Sequence, residues 1–435
     1  MVALSMSLYA ANDPLRGSII SADGVTIAKS SINKGSEVRS HPYGNLLTPM
    51  IGYTQKRNEK GFVRVNGITG LEKFFDDEIR SVQSSKGMDI RLNIPLPLQT
   101  RVETITDSFK KELKADEVIA VVMESKSGKV LSLATSNRYD PNKIRSEDNV
   151  SLRTNAIEYS NEPGTIIKPI IFSMLLDKGL VNPKEMVDCH NGEYVFGNKT
   201  IVDEHKFKML SAEDIIVHSS YIGIAQLAQL LNGKEFTQGL NRFGFSHFSG
   251  TDLPYEKGGS IPSSEQLDND LYKAIVSYGY GLSTNTMQLI KAYNSFNNNG
   301  RMINPMVVHS LIDAKGKVQL ITNKEPMQVI SPATAQRMKK ILIKTVNEGT
   351  ATIAKTKGLE VGGKTGTVHV AKNGQYIDSY NTSFVGFAND DKHTYTIAIM
   401  AREPRTKYSP SISAVPVFKS IVDMMIKEKY LNPRI

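Results

Sequence analysis

Length, composition and charge place the chain among globular proteins. It has 435 residues, 40% hydrophobic and 22% charged, which fits two to three domains and excludes collagen, coiled coil and wholesale disorder. A single cysteine excludes an intramolecular disulfide framework. The net charge of +9 is spread along the chain without a basic stripe, so we expect no nucleic-acid partner. No stretch reaches the ~20 apolar residues of a membrane span, which predicts a soluble chain.

The N-terminal region has the pattern of a small β-rich domain. Residues 16–28 predict a hairpin that turns at Asp23-Gly24, because β-rich runs flank an Asp-Gly pair. Residues 36–60 are charged and predict loops. Residues 67–79 predict a loop followed by a short helix whose inward-facing side chains are Phe74, Phe75 and Ile79.

The linker-like sequence near Ser81–Gly87 predicts a domain boundary. We expect residues 1–87 to form the small β-rich domain and residues 88–435 to form a larger α+β domain. The elements of the larger domain are predicted in this order: a strand over 89–94, a helix over 96–113, two strands around the Ser127-Gly128 turn, a buried helix over 162–177, mostly helical sequence over 180–300, strands between 358 and 403, and a final helix over about 415–429.

The sequence VGGKTGTVHV opens a predicted strand with a cation and two hydroxyl groups. Lys364 supplies the cation, and Thr365 and Thr367 share one face of the strand because they are two residues apart. Gly366 between them lets a ligand or another backbone come close. The motif fits a carboxylate grip beside a strand edge that can pair with a peptide. A strand-start turn with a solvated lysine fits it equally well.

The sequence NEPGTIIKPI opens the buried helix. Thr165 and Lys168 share a face of that helix because they are three residues apart. A lysine buried on an isoleucine-rich face has a lowered pKa and is suited to act as a base. The alternative is a lysine whose amine reaches solvent from a packed helix. Between the two motifs, HSSYIG places Ser219 in the middle of a helix-like segment.

The histidines and the cysteine predict no further site. The eight histidines show no HExxH or paired spacing, so we expect no metal. Cys189 and His190 are adjacent, and adjacent side chains rarely face each other. We expect His218 to pack or to contact solvent, while His369 shares a strand face with Thr367 and could line the site.

The three motifs, in this order, resemble the Ser-x-x-Lys, Ser-x-Asn and Lys-Thr-Gly set of penicillin-binding proteins and serine β-lactamases. Flanking sequences resemble the class B penicillin-binding proteins, the transpeptidases of division and elongation: RGSIISADGVTIA, GITGLEKFFDDEI, MDIRLNIPLPLQ, SYGYGLSTNTMQL and GRMINP. The resemblance covers nearly the whole chain. It implies the transpeptidase fold, an antiparallel sheet with helices on both faces, preceded by a small β-rich pedestal.

The chain departs from that family in three places. The nucleophilic serine is Thr165, whose β-branch adds a methyl group where the acyl group must arrive, so slow or absent acylation is expected. The asparagine of the second motif is Tyr221, which removes an amide and adds a ring to the cleft. The N-terminal region is short, and we expect the family's membrane anchor and most of its head to be missing from this chain.

The resemblance implies acyl transfer without metal or other cofactor. The Thr165 hydroxyl would attack the D-Ala-D-Ala carbonyl of a peptidoglycan stem peptide, and Lys168 would take its proton. Ser219 and Lys364 would relay that proton toward the leaving amine. The backbone N–H groups of Thr165 and Thr367 would form the oxyanion hole.

The resemblance also implies the substrate contacts and the partners. The substrate-binding residues would be Thr365, Gly366, Thr367 and Tyr221, with the two threonines on the terminal carboxylate. A second peptide's amine would resolve the acyl-enzyme, and β-lactams would mimic the first step. Expected partners are a membrane-embedded glycosyltransferase and division or elongation proteins, at the extracytoplasmic face of the inner membrane.

Two other hypotheses stay open. The first is a catalytically silent homologue that acts as a scaffold in the division or elongation machinery. The second is a β-lactam sensor or β-lactamase, against which the long N-terminal segment counts. Retention of Lys168, Ser219 and Lys364 favours an active enzyme over a catalytically silent scaffold.

Overall fold

A computed structural model describes residues 15–59, 62–80 and 86–434. Its strands are β1 (Ile19–Ile20), β2 (Thr26–Asn33), β3 (Ser36–Ser40), β4 (Thr54–Glu59), β5 (Phe62–Gly67), β6 (Asp89–Leu92), β7 (Glu117–Glu124), β8 (Val130–Thr135), β9 (Met186–Asp188), β10 (Glu193–Phe196), β11 (Lys199–Val202), β12 (Met209–Ser211), β13 (Arg301–Met302), β14 (Val308–Ile312), β15 (Val318–Leu320), β16 (Met327–Gln328), β17 (Glu360–Lys372), β18 (Gln375–Asn389) and β19 (Thr394–Arg402).

The helices of the described ranges are α1 (Gly70–Phe74), α2 (Asp76–Ile79), α3 (Leu96–Leu113), α4 (Asn155–Glu158), α5 (Lys168–Asp177), α6 (Ala212–Val217), α7 (Tyr221–Ala228), α8 (Gly233–Arg242), α9 (Ser264–Leu267), α10 (Asp270–Ser277), α11 (Thr286–Asn297), α12 (Pro332–Glu348) and α13 (Ala414–Lys427). None of these helices has both the length and the apolar character needed to cross a membrane.

The N-terminal sheet has eight strands in the order β15-β14-β6-β1-β2-β3-β5-β4. The predicted hairpin over 16–28 is confirmed as β1 and β2, with Ile19 opposite Ala28. β1 also runs parallel to β6, with Ile19 opposite Ile90, and β6 runs antiparallel to β14. The sheet therefore contains chain segments from both sides of the predicted linker at 81–87, of which residues 81–85 lie outside the described ranges.

The prediction of loops over residues 36–60 was wrong where β3 and β4 form. In β3, the inward positions are Glu37 and Arg39 rather than apolar residues. Arg39 Nε donates to Glu72 at 2.8 Å, and Arg16 Nε donates to the same carboxylate at 2.7 Å. A buried ion network thus fills the interior side of this strand, and the alternation of apolar residues that identifies strands is missing from the sequence.

The prediction of an inward Phe74 was also wrong. Phe74 is 45% exposed, whereas Phe75 and Ile79 are buried as predicted. The helix is interrupted at Phe75, which ends α1 and precedes α2. Because the break changes the rotation of the chain, Phe74 lies outside and only packs its ring edge against Phe75.

The larger sheet is antiparallel, with the strand order β17-β18-β19-β7-β8. One face packs against α3 and α13, through side chains such as Val102 and Phe418. The other face packs against α11 and α12, through Ile290 and Leu342 among others. The predicted arrangement of an antiparallel sheet with helices on both faces is therefore present, and α3 has the bounds that the sequence predicted.

Six helices, α6 to α11, lie between residues 180 and 300, but they cover fewer than half of these residues, so the prediction of mostly helical sequence was wrong. The segment also contains four short strands. β9 pairs with β12, and β10 pairs with β11. Pairs of three or four residues bury little apolar surface, so they leave a weak pattern in the sequence. Their importance for the site is that the chain after β11 brings Asp203 and Glu204 toward the N-terminus of α7.

Candidate active site

Thr165 lies in a single 3₁₀ turn, Gly164–Ile167, that leads into α5. Gly164 has φ +62°, and a Cβ added to it would lie 2.3 Å from the Thr367 carbonyl oxygen. Glycine at this position therefore lets the turn pack directly against β17. Thr165 is 5% exposed, and its Oγ1 donates to the Thr365 carbonyl oxygen at 2.9 Å.

Lys168 is the first residue of α5 and is completely buried. Its Nζ donates to the Ser219 carbonyl oxygen at 2.5 Å and lies 3.3 Å from Ser219 Oγ. The structure thus confirms a lysine buried in the isoleucine-rich helix. Its amine faces the second motif and does not reach solvent.

Ser219 lies between two helices and not, as predicted, in the middle of one. α6 ends at Val217 and α7 begins at Tyr221. Ser219 has φ +63°, an uncommon conformation for a residue with a side chain. Ser220 caps α7 by accepting from Gly223 N at 2.9 Å. Apolar residues on both sides of the break give the sequence a continuous helical pattern, which explains the error.

Lys364 reaches the same hydroxyl from the opposite side of the cleft. It is completely buried on β17, and its Nζ donates to Ser219 Oγ at 2.9 Å. A second contact joins Nζ to the Thr365 carbonyl oxygen at 3.2 Å. The structure therefore brings Lys168, Ser219 and Lys364 together, as the sequence predicted.

Burial lowers the pKa of both lysines. For Lys364, desolvation lowers the pKa to about 7. For Lys168, desolvation lowers the pKa well below its ordinary value, and the neighbouring charge of Lys364 lowers it further. The carboxylate of Glu204 acts in the opposite direction on both. Two amines that lie against one hydroxyl cannot both hold a proton cheaply, so a neutral amine is available as a base near neutral pH.

The remaining residues of the Lys-Thr-Gly-Thr motif differ in their exposure and in their neighbours. Thr365 is buried, and its Oγ1 lies 2.9 Å from Thr350 Oγ1. Thr367 is partly exposed on the cleft side. Gly366 has a different neighbour from the predicted ligand, because a Cβ there would lie 2.5 Å from Ile166 Cγ1. Gly366 therefore admits a side chain of the nucleophile turn.

Tyr221 covers the amine of Lys168. The Nζ atom lies 3.8 Å from the centre of the Tyr221 ring, a cation–π distance. The ring also packs edge-on against Tyr278, with centroids 5.3 Å apart. The bulky ring predicted for the cleft is thus present, and it shields the amine from solvent.

The sequence did not predict the role of Asp203. Its carboxylate accepts from Ser220 Oγ at 2.6 Å and from the backbone N–H groups of Tyr221 and Ile222. It thereby fixes the N-terminus of α7 and the break at Ser219. The carboxylate is 17 residues upstream of Ser220, and no short sequence pattern connects residues that far apart.

The structure also places the histidines and the cysteine that the sequence analysis considered, and their contacts are with residues other than Lys168 and Lys364. The His218 ring packs against Phe207, with centroids 5.2 Å apart. Cys189 is buried with its sulfur 3.6 Å from Ser220 Oγ, while His190 stacks on Tyr194. His369 lies against Tyr380 on the cleft side of β17. Among the residues that the structure describes, no group of three or more His, Cys, Asp or Glu could hold a metal ion.

Comparison with protein families finds one match over most of the chain. The model of the family described as penicillin binding protein transpeptidase domain matches residues 118–423. Stage V sporulation protein D of Bacillus subtilis is 25% identical in an alignment of 442 positions that covers 94% of this chain and 66% of that protein. The peptidoglycan D,D-transpeptidase FtsI of Buchnera aphidicola is 26% identical, over 91% of this chain and 71% of that protein.

Solved structures share the fold over nearly the whole chain. Penicillin binding protein 3 of Mycobacterium tuberculosis superposes with a TM-score of 0.87 and 25% identity, covering 97% of this chain and 98% of that one. That protein has also been solved in complex with aztreonam and with ampicillin. The transpeptidase domain of Burkholderia pseudomallei penicillin-binding protein 3 has a TM-score of 0.68 over 79% of this chain. These likenesses confirm the predicted fold class, including the β-rich N-terminal region.

Proposed function

Because this chain belongs to the penicillin-binding protein transpeptidase family, we propose that it is a class B peptidoglycan D,D-transpeptidase that cross-links stem peptides by acyl transfer. The observation that carries the proposal is the convergence of Lys168 and Lys364 on the hydroxyl of Ser219. Two buried amines cost the fold free energy, and amines joined to a hydroxyl can move a proton from the nucleophile to the leaving group, as acyl transfer requires.

In the proposed first step, Thr165 Oγ1 attacks the carbonyl carbon between the two terminal D-alanines. Its proton passes to the neutral amine of Lys168. The C–N bond breaks, an ester forms on Thr165, and D-alanine leaves after its nitrogen receives a proton through Ser219 and Lys364. The backbone N–H groups of Thr165 and Thr367 stabilise the oxyanion.

The substrate's terminal carboxylate lies against β17 in this proposal. Thr367 is partly exposed beside the nucleophile turn, and Thr365 lies next to Lys364 on the same strand.

In the second step, an amine of another stem peptide attacks the ester carbon, the bond to Thr165 Oγ1 breaks, and the hydroxyl regains its proton. A new amide bond then joins the two peptides.

We propose that β-lactams acylate the same hydroxyl. A β-lactam amide offers an electrophilic carbonyl and a nearby carboxylate, so it matches Thr165 and the threonines of β17. The structurally similar Mycobacterium tuberculosis protein has been solved with aztreonam and with ampicillin, which supports extension of this property to the present chain.

Two features of the site favour a second candidate, a catalytically silent homologue with a scaffolding role. Thr165 Oγ1 donates to the Thr365 carbonyl oxygen instead of to an amine. The Tyr221 ring covers Lys168. Both contacts must change before a substrate carbonyl can reach the hydroxyl.

The biological setting is proposed from the family. We place the protein at the extracytoplasmic face of the inner membrane, together with a membrane-embedded glycosyltransferase and division or elongation proteins. Residues 1–87 would form a shortened pedestal, and residues 88–435 the transpeptidase domain.

The function is tested by exchange of the terminal residue of a peptide. The protein is mixed with a synthetic stem pentapeptide that ends in D-Ala-D-Ala and with a D-amino acid as the amine acceptor. Mass spectrometry is expected to show loss of D-alanine and a peptide that ends in the acceptor. Thr165→Ala should abolish exchange. If the unaltered chain, Thr165→Ser and Thr165→Ala all give no product, the scaffold hypothesis is favoured.

A further inference from the structure

A cavity of about 380 Å³ lies beside the nucleophile turn and outside the group of lysines. Its walls come from residues 159–162, which precede Thr165, from the turn at 281–283, from residues 369–371 of β17, and from Ser260 and Asn381. Since residues 369–371 lie just beyond Thr367 on the strand, the cavity extends the substrate cleft along β17.

Backbone contacts hold this cavity open. The N–H and carbonyl groups of Asn161 and Thr284 bond to each other at 3.0 and 2.9 Å. A second bridge joins Ser260 and Ser283 in the same way. Gly164 N donates to the Gly279 carbonyl oxygen at 3.1 Å, which ties the same turn to the nucleophile. The cavity is thus preformed, so little ordering is needed before a ligand binds.

Glu162 contributes a negative charge to the cavity wall. Its Oε1 accepts from Gly281 N at 2.7 Å, and Tyr376 OH lies 3.0 and 2.9 Å from the two carboxylate oxygens. Both partners are neutral donors. Across residues 15–59, 62–80 and 86–434, no lysine, arginine or histidine forms an ion pair with this carboxylate, so its charge is available to a ligand.

Two buried acceptors without a donor lie next to this charge. Asn161 Nδ2 donates to the Glu162 carbonyl oxygen at 2.7 Å, which leaves Oδ1 on the other side of the amide. Asn161 Oδ1 and Ser160 Oγ are both buried, and neither has a hydrogen-bond partner. Buried polar atoms without partners are uncommon in proteins, and because solvent does not reach these two, a ligand can contact them only after the side chains rotate.

We propose that this cavity binds the primary ammonium group of a peptidoglycan stem peptide, an inference that rests on the proposed function. An ammonium group has one positive charge and three N–H donors. Glu162 supplies the opposite charge, and rotation of the Asn161 and Ser160 side chains can turn Oδ1 and Oγ into the cavity as two further acceptors. The cavity lining contains no lysine or arginine that would repel the ligand.

Two peptides offer this chemistry. The donor peptide, held along β17 with its acyl carbon at Thr165, can place a side-chain ammonium group in the cavity. The acceptor peptide can bind there by its ammonium group, which must leave Glu162 and give up a proton before its amine attacks the ester. The two sources differ in one respect: a β-lactam in the cleft excludes the donor peptide and leaves room for the acceptor.

The test uses two synthetic stem tetrapeptides that end in D-alanine, one with a free side-chain amine and one with that amine acetylated. Their dissociation constants for the unaltered protein are measured by NMR titration. The free amine is expected to bind about tenfold more tightly, because a hydrogen-bonded charge in a partly enclosed site contributes more than a neutral contact. Glu162→Gln should reduce this ratio to near one.

Two matched variants separate the effect of the Glu162 charge from the effects of its hydrogen bonds and of a substitution elsewhere. Glu403 lies outside the cavity and binds Lys372 Nζ and Ser379 Oγ, each at 3.1 Å, so Glu403→Gln should leave the ratio unchanged. Tyr376→Phe removes a donor from Glu162 but keeps the carboxylate, and it should also preserve the preference for the free amine. Thermal unfolding confirms that each variant is folded.

A repeat with benzylpenicillin present identifies the source of the ammonium group. Displacement of the peptide assigns the cavity to the donor, and simultaneous binding assigns it to the acceptor; both outcomes support the proposal. Equal affinities for the two peptides, no binding of the free amine, or an unchanged ratio in Glu162→Gln would overturn it. The peptide-exchange assay reports separately on the proposed function, so the two failures are distinguishable.

Discussion

Lys364 Nζ and Ser219 Oγ lie 2.9 Å apart, although the two residues are 145 positions apart in the sequence. Lys168 Nζ lies 3.3 Å from the same oxygen. The contact links β17 to the break between α6 and α7, so the two lysines reach the Ser219 hydroxyl from different elements of the fold. In the proposed mechanism it carries the proton to the leaving group.

Loss of Lys364 should weaken β-lactam acylation. We expect Lys364→Ala to lower the second-order rate constant for benzylpenicillin by about 10- to 100-fold, which corresponds to one hydrogen bond made by a charged or proton-relaying group. Lys372→Ala is the control, because Lys372 lies on the same strand and binds Glu403 at the surface. An unchanged rate in Lys364→Ala would contradict the role of Lys364 in the proton relay.

Acylation should fall in acid. The pKa of Lys364 is lowered to about 7 by burial, so this amine takes up a proton as the pH falls through that value. The charge that Lys364 then carries lowers the pKa of Lys168 further, so Lys168 stays the neutral base just below pH 7, and we expect the rate to decrease by about tenfold for each pH unit only once Lys168 itself takes up a proton. Stopped-flow acylation between pH 4 and pH 8.5 measures this profile. A rate that stays constant over that whole range would exclude a titrating amine as the base.

Replacement of Tyr221 should open the site. Tyr221→Asn removes the ring from Lys168 and restores the amide of the family's second motif, so we expect faster acylation, by about tenfold if the displaced ring is a main obstacle. Tyr221→Phe keeps the ring and serves as the matched control, with a rate close to that of the unaltered chain. Equal rates in both variants would show that the ring does not obstruct the hydroxyl.

The ion network in the N-terminal sheet should be required for stability and not for chemistry. Glu72 is fully buried between Arg16 and Arg39. Glu72→Gln leaves two buried cations without their shared charge, and we expect a loss of about 3–5 kcal/mol in the free energy of unfolding. Urea denaturation measures it, with exposed Glu78→Gln as the control. A loss below about 0.5 kcal/mol would show that the arginines find other partners.

The sequence predicted those elements whose apolar residues repeat regularly. α3 was predicted with its bounds because its apolar face repeats from Leu96 and Leu98 to Leu113 and a proline precedes it. The hairpin was predicted because β-rich runs flank Asp23-Gly24, and strands β17 to β19 were also predicted. β3 was missed because its inward side chains, Glu37 and Arg39, are charged and pair only in three dimensions.

The sequence also predicted some features of the candidate site and missed others. Its reactive residues were found because the three motifs are short and ordered along the chain. Asp203 was missed because it acts on α7 from a distant hairpin. The cavity beside Glu162 was missed because its walls come from five places that are separate in the sequence. The break at Ser219 was missed because apolar sequence continues on both sides of it.

The most direct test of the proposed mechanism is intact-protein mass spectrometry after incubation with excess benzylpenicillin. We expect the unaltered chain to gain the mass of one drug molecule slowly and Thr165→Ser to gain it about 100-fold faster, because the β-branched methyl group of Thr165 displaces the hydroxyl from the approaching carbonyl. Thr165→Ala should gain no mass. Absence of a mass gain in both the unaltered chain and Thr165→Ser would contradict acyl transfer at this site.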